Sequence, residues 1–136
     1  MGNNHSAYRE KRIAMKKRFL KIGIMSEEDF RERMLLIAQG KIKPKADEPK
    51  IFFESLHSAG QILSGKNKEL LRVILEEKPE TLKELADISG RKTSSLSRTL
   101  KTMEKYGIVT LKKKNNHVKP IVNATNFKLE MGLFNH

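Results

Sequence analysis

The sequence predicts an α+β fold, mainly helical with a small β hairpin, and three observations carry that expectation. Apolar residues recur at helical spacing between capping residues and glycines in several segments. Two short runs rich in β-branched residues, at 108–111 and 118–122, flank a polar turn, which is the pattern of a hairpin. Charge divides sharply along the chain: residues 91–119 hold nine Lys/Arg and one acid, whereas 51–90 hold five Lys/Arg and seven acids.

Residues 8–21 set Arg9, Lys11, Arg12, Lys16, Lys17, Arg18 and Lys21 around a narrow apolar stripe of Ile13, Phe19 and Leu20. That composition reads as a basic helix or arm. Ser26 followed by Asp29 signals a helix start, and Phe30, Met34, Ile37 and Ala38 give that helix an apolar face before Gly40. Residues 41–49 carry two prolines and read as a linker. A short strand is expected over 51–56, then a helix beginning within 58–63 and a longer one over 66–77.

The stretch 81–111 is the most informative. Thr81 with Glu84 fits a capping box, in which hydroxyl and carboxylate each satisfy a free backbone donor, so a helix should start at Leu82. Leu82, Leu85, Ala86 and Ile88 form its apolar stripe, and Gly90 follows where a left-handed residue ends a helix. After a turn over 89–92, Leu96, Leu100 and Met103 define one face of a second helix. With Leu96 at the origin, Leu100 falls near 40° and Met103 near 340°, while Ser94, Arg98, Lys101 and Lys105 fall between roughly 140° and 200°. Ser95 and Thr102 flank that polar face, and Glu104, near 80°, sits off it. Two short helices around a glycine, the second with a polar and basic outer face, read as a helix-turn-helix.

Gly107 closes the second helix. Ile108, Val109, Thr110 and Leu111 read as a strand, Lys112 through His117 as a polar turn, and 118–122 as the return strand, in which Pro120 suits an edge. A basic hairpin beside such a helix is a wing. Phe127, Leu129, Met131 and Leu133 alternate with Lys128, Glu130 and Gly132, the period of a half-buried strand that would serve as a third strand or in a dimer interface.

At Phe52-Phe53-Glu54-Ser55-Leu56, the helix of 68–79, residues 82–86, Gly90-Arg91, Ser97-Arg98, Leu100-Lys101 and Tyr106-Gly107-Ile108-Val109, the chain resembles the MarR/ArsR-type winged-helix regulators. Within that group it resembles small prokaryotic predicted DNA-binding proteins, some of which act as antitoxins. The resemblance covers about 49–133 and implies a winged helix-turn-helix that binds double-stranded DNA as a regulator. Lys92 departs from the pattern, since relatives often carry Ser, Asp or Thr there to cap the recognition helix; Thr93 is the alternative cap. The expected organisation is a basic N-terminal helical arm and linker over 1–48 and a winged helix-turn-helix domain over 49–136.

The residues expected to meet bases or the groove are Thr93, Ser94, Ser95, Ser97, Arg98 and Thr102. Small hydroxyl residues let the helix backbone approach, and the Arg98 fork can hold guanine O6 and N7, or else a phosphate. Phosphate contacts are expected from Arg91, Lys92, Lys101, Lys105, Lys112, Lys113, Lys114, Asn115, Asn116 and Lys119. Two arrangements of partners follow: a homodimeric repressor on a partly palindromic operator, or an antitoxin that binds a cognate toxin through its N-terminal segment and autoregulates.

Other classes fare worse. The net charge of +12 favours an anionic partner, and its concentration at 91–119 matches a recognition helix and wing better than a surface made basic for solubility. No nucleophile, base and oxyanion donor assemble into a catalytic set, so no enzyme activity is expected. His5, His57, His117 and His136 lack metal-ligand spacing, and no cofactor is expected. The absence of Cys agrees with a cytoplasmic location, no apolar run could span a membrane, and the polar, basic start does not read as a secretory leader. The first six residues fit a myristoylation pattern, a reading that leaves the charge of the helix and wing unexplained.

Overall fold

The computed structural model describes residues 10, 12 and 15–134. The six-residue N-terminal motif, Tyr8, Arg9, Lys11 and Ile13 of the expected basic helix, and His5 and His136 lie outside the described residues. What is described is a mixed α/β fold: strand β1 (Phe19–Ile24), helix α1 (Glu27–Ala38), strand β2 (Ile51–Phe53), helices α2 (Leu56–Ile62), α3 (Gly65–Glu77), α4 (Leu82–Ser89) and α5 (Thr93–Lys105), then strands β3 (Val109–Lys114), β4 (His117–Val122) and β5 (Asn126–Met131). Among the described residues no helix is long and apolar enough to cross a membrane.

The strands form two sheets. In the first, of order β2-β1-β5, the central strand β1 pairs in parallel with both neighbours. This corrects the sequence reading, which gave Phe19, Leu20 and Lys21 to a basic helix or arm. Leu20, Ile22 and Ile24 alternate with Phe19, Lys21 and Gly23, and Ile22 and Ile24 are buried. Six cations between residues 9 and 18 masked that two-residue period, and the pairing partner lies about a hundred residues away, where no local pattern reports it. The boundary expected at residue 48 therefore separates β1 and β2, two strands that pair in one sheet.

Helix starts follow their capping residues. Ser26, Ser55, Ser64 and Thr81 hydroxyls accept the backbone N–H of Asp29, Ser58, Asn67 and Glu84, fixing the first turns of α1 to α4. Ser55 as a cap explains why β2 ends at Phe53, short of the expected residue 56. The Glu84 carboxylate reaches back to the Glu80 N–H at 2.8 Å, one residue before the partner of a regular capping box. Arg33 and Glu48 pair to fasten the 41–49 connection to α1, and the Lys45 N–H, with Arg33 beside it, holds the Glu48 carboxyl below its ordinary pKa.

One core joins the elements. Ile22, Phe53, Leu85, Leu96, Leu100, Met103 and Ile108 are fully buried in a cluster shared by the parallel sheet, α3 to α5 and the hairpin. Phe53 meets Tyr106 with ring centroids 4.5 Å apart, so the parallel sheet braces the end of α5. Gly107 follows at φ 71, and a Cβ there would stand 2.9 Å from the Ile51 methyl, so both conformation and space call for glycine where α5 turns into β3.

The hairpin β3-β4 is longer than expected. Lys112, Lys113, Lys114 and His117 belong to the strands, and only Asn115 and Asn116 form the turn. Asn115 adopts φ 57, the left-handed region that lets a two-residue loop close, and asparagine tolerates it well. Lysine is somewhat depleted in strands, so composition alone placed the run in the turn. The 127–131 alternation does form a strand, β5, but it pairs with β1 rather than with the hairpin.

Candidate nucleic-acid interface

Helix α5 is sharply two-faced. Leu96, Leu100 and Met103 have no exposed surface, whereas Thr93, Ser94, Ser95, Arg98, Lys101 and Lys105 are exposed, with Ser97 and Thr102 half-buried at the margins. Helix α4 ends at Gly90 in the left-handed conformation, and three residues later α5 begins, packed against α4. Lys92 occupies the cap position without a side-chain cap bond, so the helix start is held by the backbone alone, and Thr93 is its first residue rather than its cap. The four free N–H groups of that end remain available to an anion or water.

Positive charge on this face is unrelieved. Arg98, Lys101 and Lys105 make no ion pair among the described residues. Lys101 and Lys105 lie four apart on the helix, a like-charge spacing that costs a few tenths of a kcal/mol. In the hairpin Lys112 stands directly opposite Lys119, whose charge is itself paired with Glu80, while Lys112 through Asn116 are exposed. The Thr102 hydroxyl donates to the Arg98 carbonyl at 3.1 Å, which leaves its lone pairs outward.

The acid inside the basic stretch is turned to structural use. Glu104 Oε2 accepts the Leu111 N–H at 3.0 Å, tying β3 to the last turn of α5. On the other side of the hairpin base, the Asn123 amide donates to the Gly107 carbonyl at 3.1 Å and to the Thr110 hydroxyl at 3.0 Å. Together Glu104 and Asn123 set the hairpin's angle to α5. Sequence reasoning missed this brace, because its signal is spatial.

Two expected phosphate contacts have partners inside the fold. Arg91 is half-buried, donates to Asn67 Oδ1 and Thr99 Oγ1 at 3.4 Å each, and so links α3 to α5. Its Nε is buried without a partner among the described residues. Lys119 pairs with Glu80 at 3.2 Å. Lys92, Lys101, Lys105, Lys112, Lys113, Lys114, Asn115 and Asn116 remain exposed on α5 and the hairpin.

A family model described as HVO_A0114 matches residues 62–129, half of the chain. The chain belongs to the HVO_A0114 family. No curated protein and no solved structure matches it. In this member the HVO_A0114 match takes in α3, α4, α5 and the hairpin entire, and so every residue of the basic face; β1, α1 and β2 fall outside it. Chemically, the face offers a guanidinium fork, mobile ammonium groups and small hydroxyls on a rigidly backed helix. Among the described residues no cluster of three metal-ligating side chains accompanies them.

Proposed function

We propose that this HVO_A0114 family member is a sequence-specific double-stranded DNA-binding transcriptional regulator, a repressor that acts as a dimer. Helix α4, its turn and α5 serve as a helix-turn-helix, and β3-β4 as the wing. The observation that carries the reading is the run of exposed cations on α5 and the hairpin, beside which Glu104 is bound to a backbone N–H and Glu80 is paired with Lys119. Such a face costs repulsion in the free protein, and closely spaced phosphates offset it.

In this reading the N-terminal turns of α5 enter a major groove. Thr93, Ser94, Ser95 and Ser97 allow close approach, Arg98 reaches a guanine edge or a phosphate, and Thr102 lies along the groove wall. Lys92, Lys101, Lys105 and the hairpin residues Lys112 to Asn116 hold flanking phosphates and fix orientation. Repression follows from occlusion of a promoter. Arg91 and Lys119 act as braces whose charge adds to the field.

Selection of bound sequences from a random duplex pool tests the proposal. Enrichment of a partly two-fold symmetric site, with half-sites about one helical turn apart, is expected. A pool that emerges as random as it entered would contradict sequence-specific regulation.

A further inference from the structure

The outer edge of the parallel sheet is where the fold is left unfinished. Strand β5 pairs along all six residues with β1, and no strand pairs with its other side among the described residues. On the face that carries the core, Phe127 packs inward, but Leu129 and Met131 are 43% and 59% exposed. On the opposite face Lys128 and Glu130 are exposed. A regular six-residue edge of this kind is a template for another strand.

We infer that a second copy of this chain docks here, β5 against β5 in antiparallel pairing about a two-fold axis at Leu129. Charge selects both the occupant and the register. With the axis at Leu129, Lys128 of each copy faces Glu130 of the other, twice over. On the other face Leu129 meets its counterpart and Phe127 meets Met131. Placing the axis one residue either way sets Lys128 against Lys128 or Glu130 against Glu130, and like charges directly opposite are unfavourable. Among the described residues Lys128 also has no carboxylate partner in its own chain: its neighbour on β1 is Lys21, and its ammonium lies 4.6 Å over the Phe19 ring. Lys21 is instead paired with Glu130 at 3.5 Å. The second copy supplies the missing counter-charge, and the two three-stranded sheets become one continuous sheet.

This interface takes from the proposed regulator only the expectation of two copies, and it is tested without DNA. Sedimentation equilibrium of the full chain from about 1 to 100 µM should show a dimer. Lys128→Glu and Glu130→Lys, each alone, should weaken self-association by about tenfold or more while circular dichroism stays unchanged. The double exchange Lys128→Glu with Glu130→Lys should restore it, a rescue that a merely damaged fold would not give. A monomer throughout the range overturns the interface, and would leave the edge to a strand of a different protein. A dimer indifferent to both single reversals, or a double exchange no better than the singles, overturns it equally. DNA selection by a monomeric chain would show that this inference, and not the DNA reading, had failed.

Discussion

In the proposed DNA reading, Arg98 is the residue on which specificity turns. It is exposed on the outward face of α5, two residues past the fully buried Leu96, and among the described residues its fork makes no ion pair. If it reads a guanine, Arg98→Ala should cost about 1–3 kcal/mol on the selected site and relax preference at one base pair. Competition binding with specific and random duplexes measures this; equal losses on both would move Arg98 to the phosphate backbone. Burial and exposure were legible where they follow from periodicity, as with Leu96, Leu100 and Met103 against Ser94, Arg98 and Lys101. Single-residue roles were illegible where a partner lies far off in sequence. Nothing local distinguishes Arg91, held by Asn67 and Thr99, from the free cations after it.

Helix α5 and the hairpin work as one element because both rest on the same buried row. Leu100 has no exposed surface and sits in the cluster shared with Leu85, Met103 and Ile108. Leu100→Ala should therefore lower stability by about 2–5 kcal/mol, read as a shift of the urea midpoint. A loss under about 0.5 kcal/mol would mean that the row does not anchor the helix. Replacing Lys113 and Lys114 together with Ala should weaken specific and random duplexes alike and flatten the dependence of binding on salt. Selective loss on the specific site would instead make the hairpin a base reader. Caps, glycines and β-branched runs located α1, α3, α4, α5 and the presence of the hairpin, and alternation located β5, since those signals are local; the start of α2 was missed because 51–56 read as one strand. The length of the hairpin turn was misjudged because three consecutive lysines resemble a loop until Asn115 is seen to close it.

For the molecule as a whole, the parallel sheet was the part hidden from sequence. Its strands come from residues 19–24, 51–53 and 126–131, and parallel pairing across such separations leaves no turn to announce it. That sheet makes the N-terminal segment part of the fold around the basic face, with Phe53 against Tyr106 passing support to the end of α5. It also leaves β5 as an edge on which two copies can join. The charge pattern along the chain was legible: the basic stretch at 91–119 maps onto α5 and the hairpin.

The claim that this face exists to meet a phosphate backbone is tested most directly by the salt dependence of duplex binding. With roughly six phosphates neutralised, log K should fall against log salt with a slope of about −5. A slope near zero, or no duplex binding at low salt, would contradict the account.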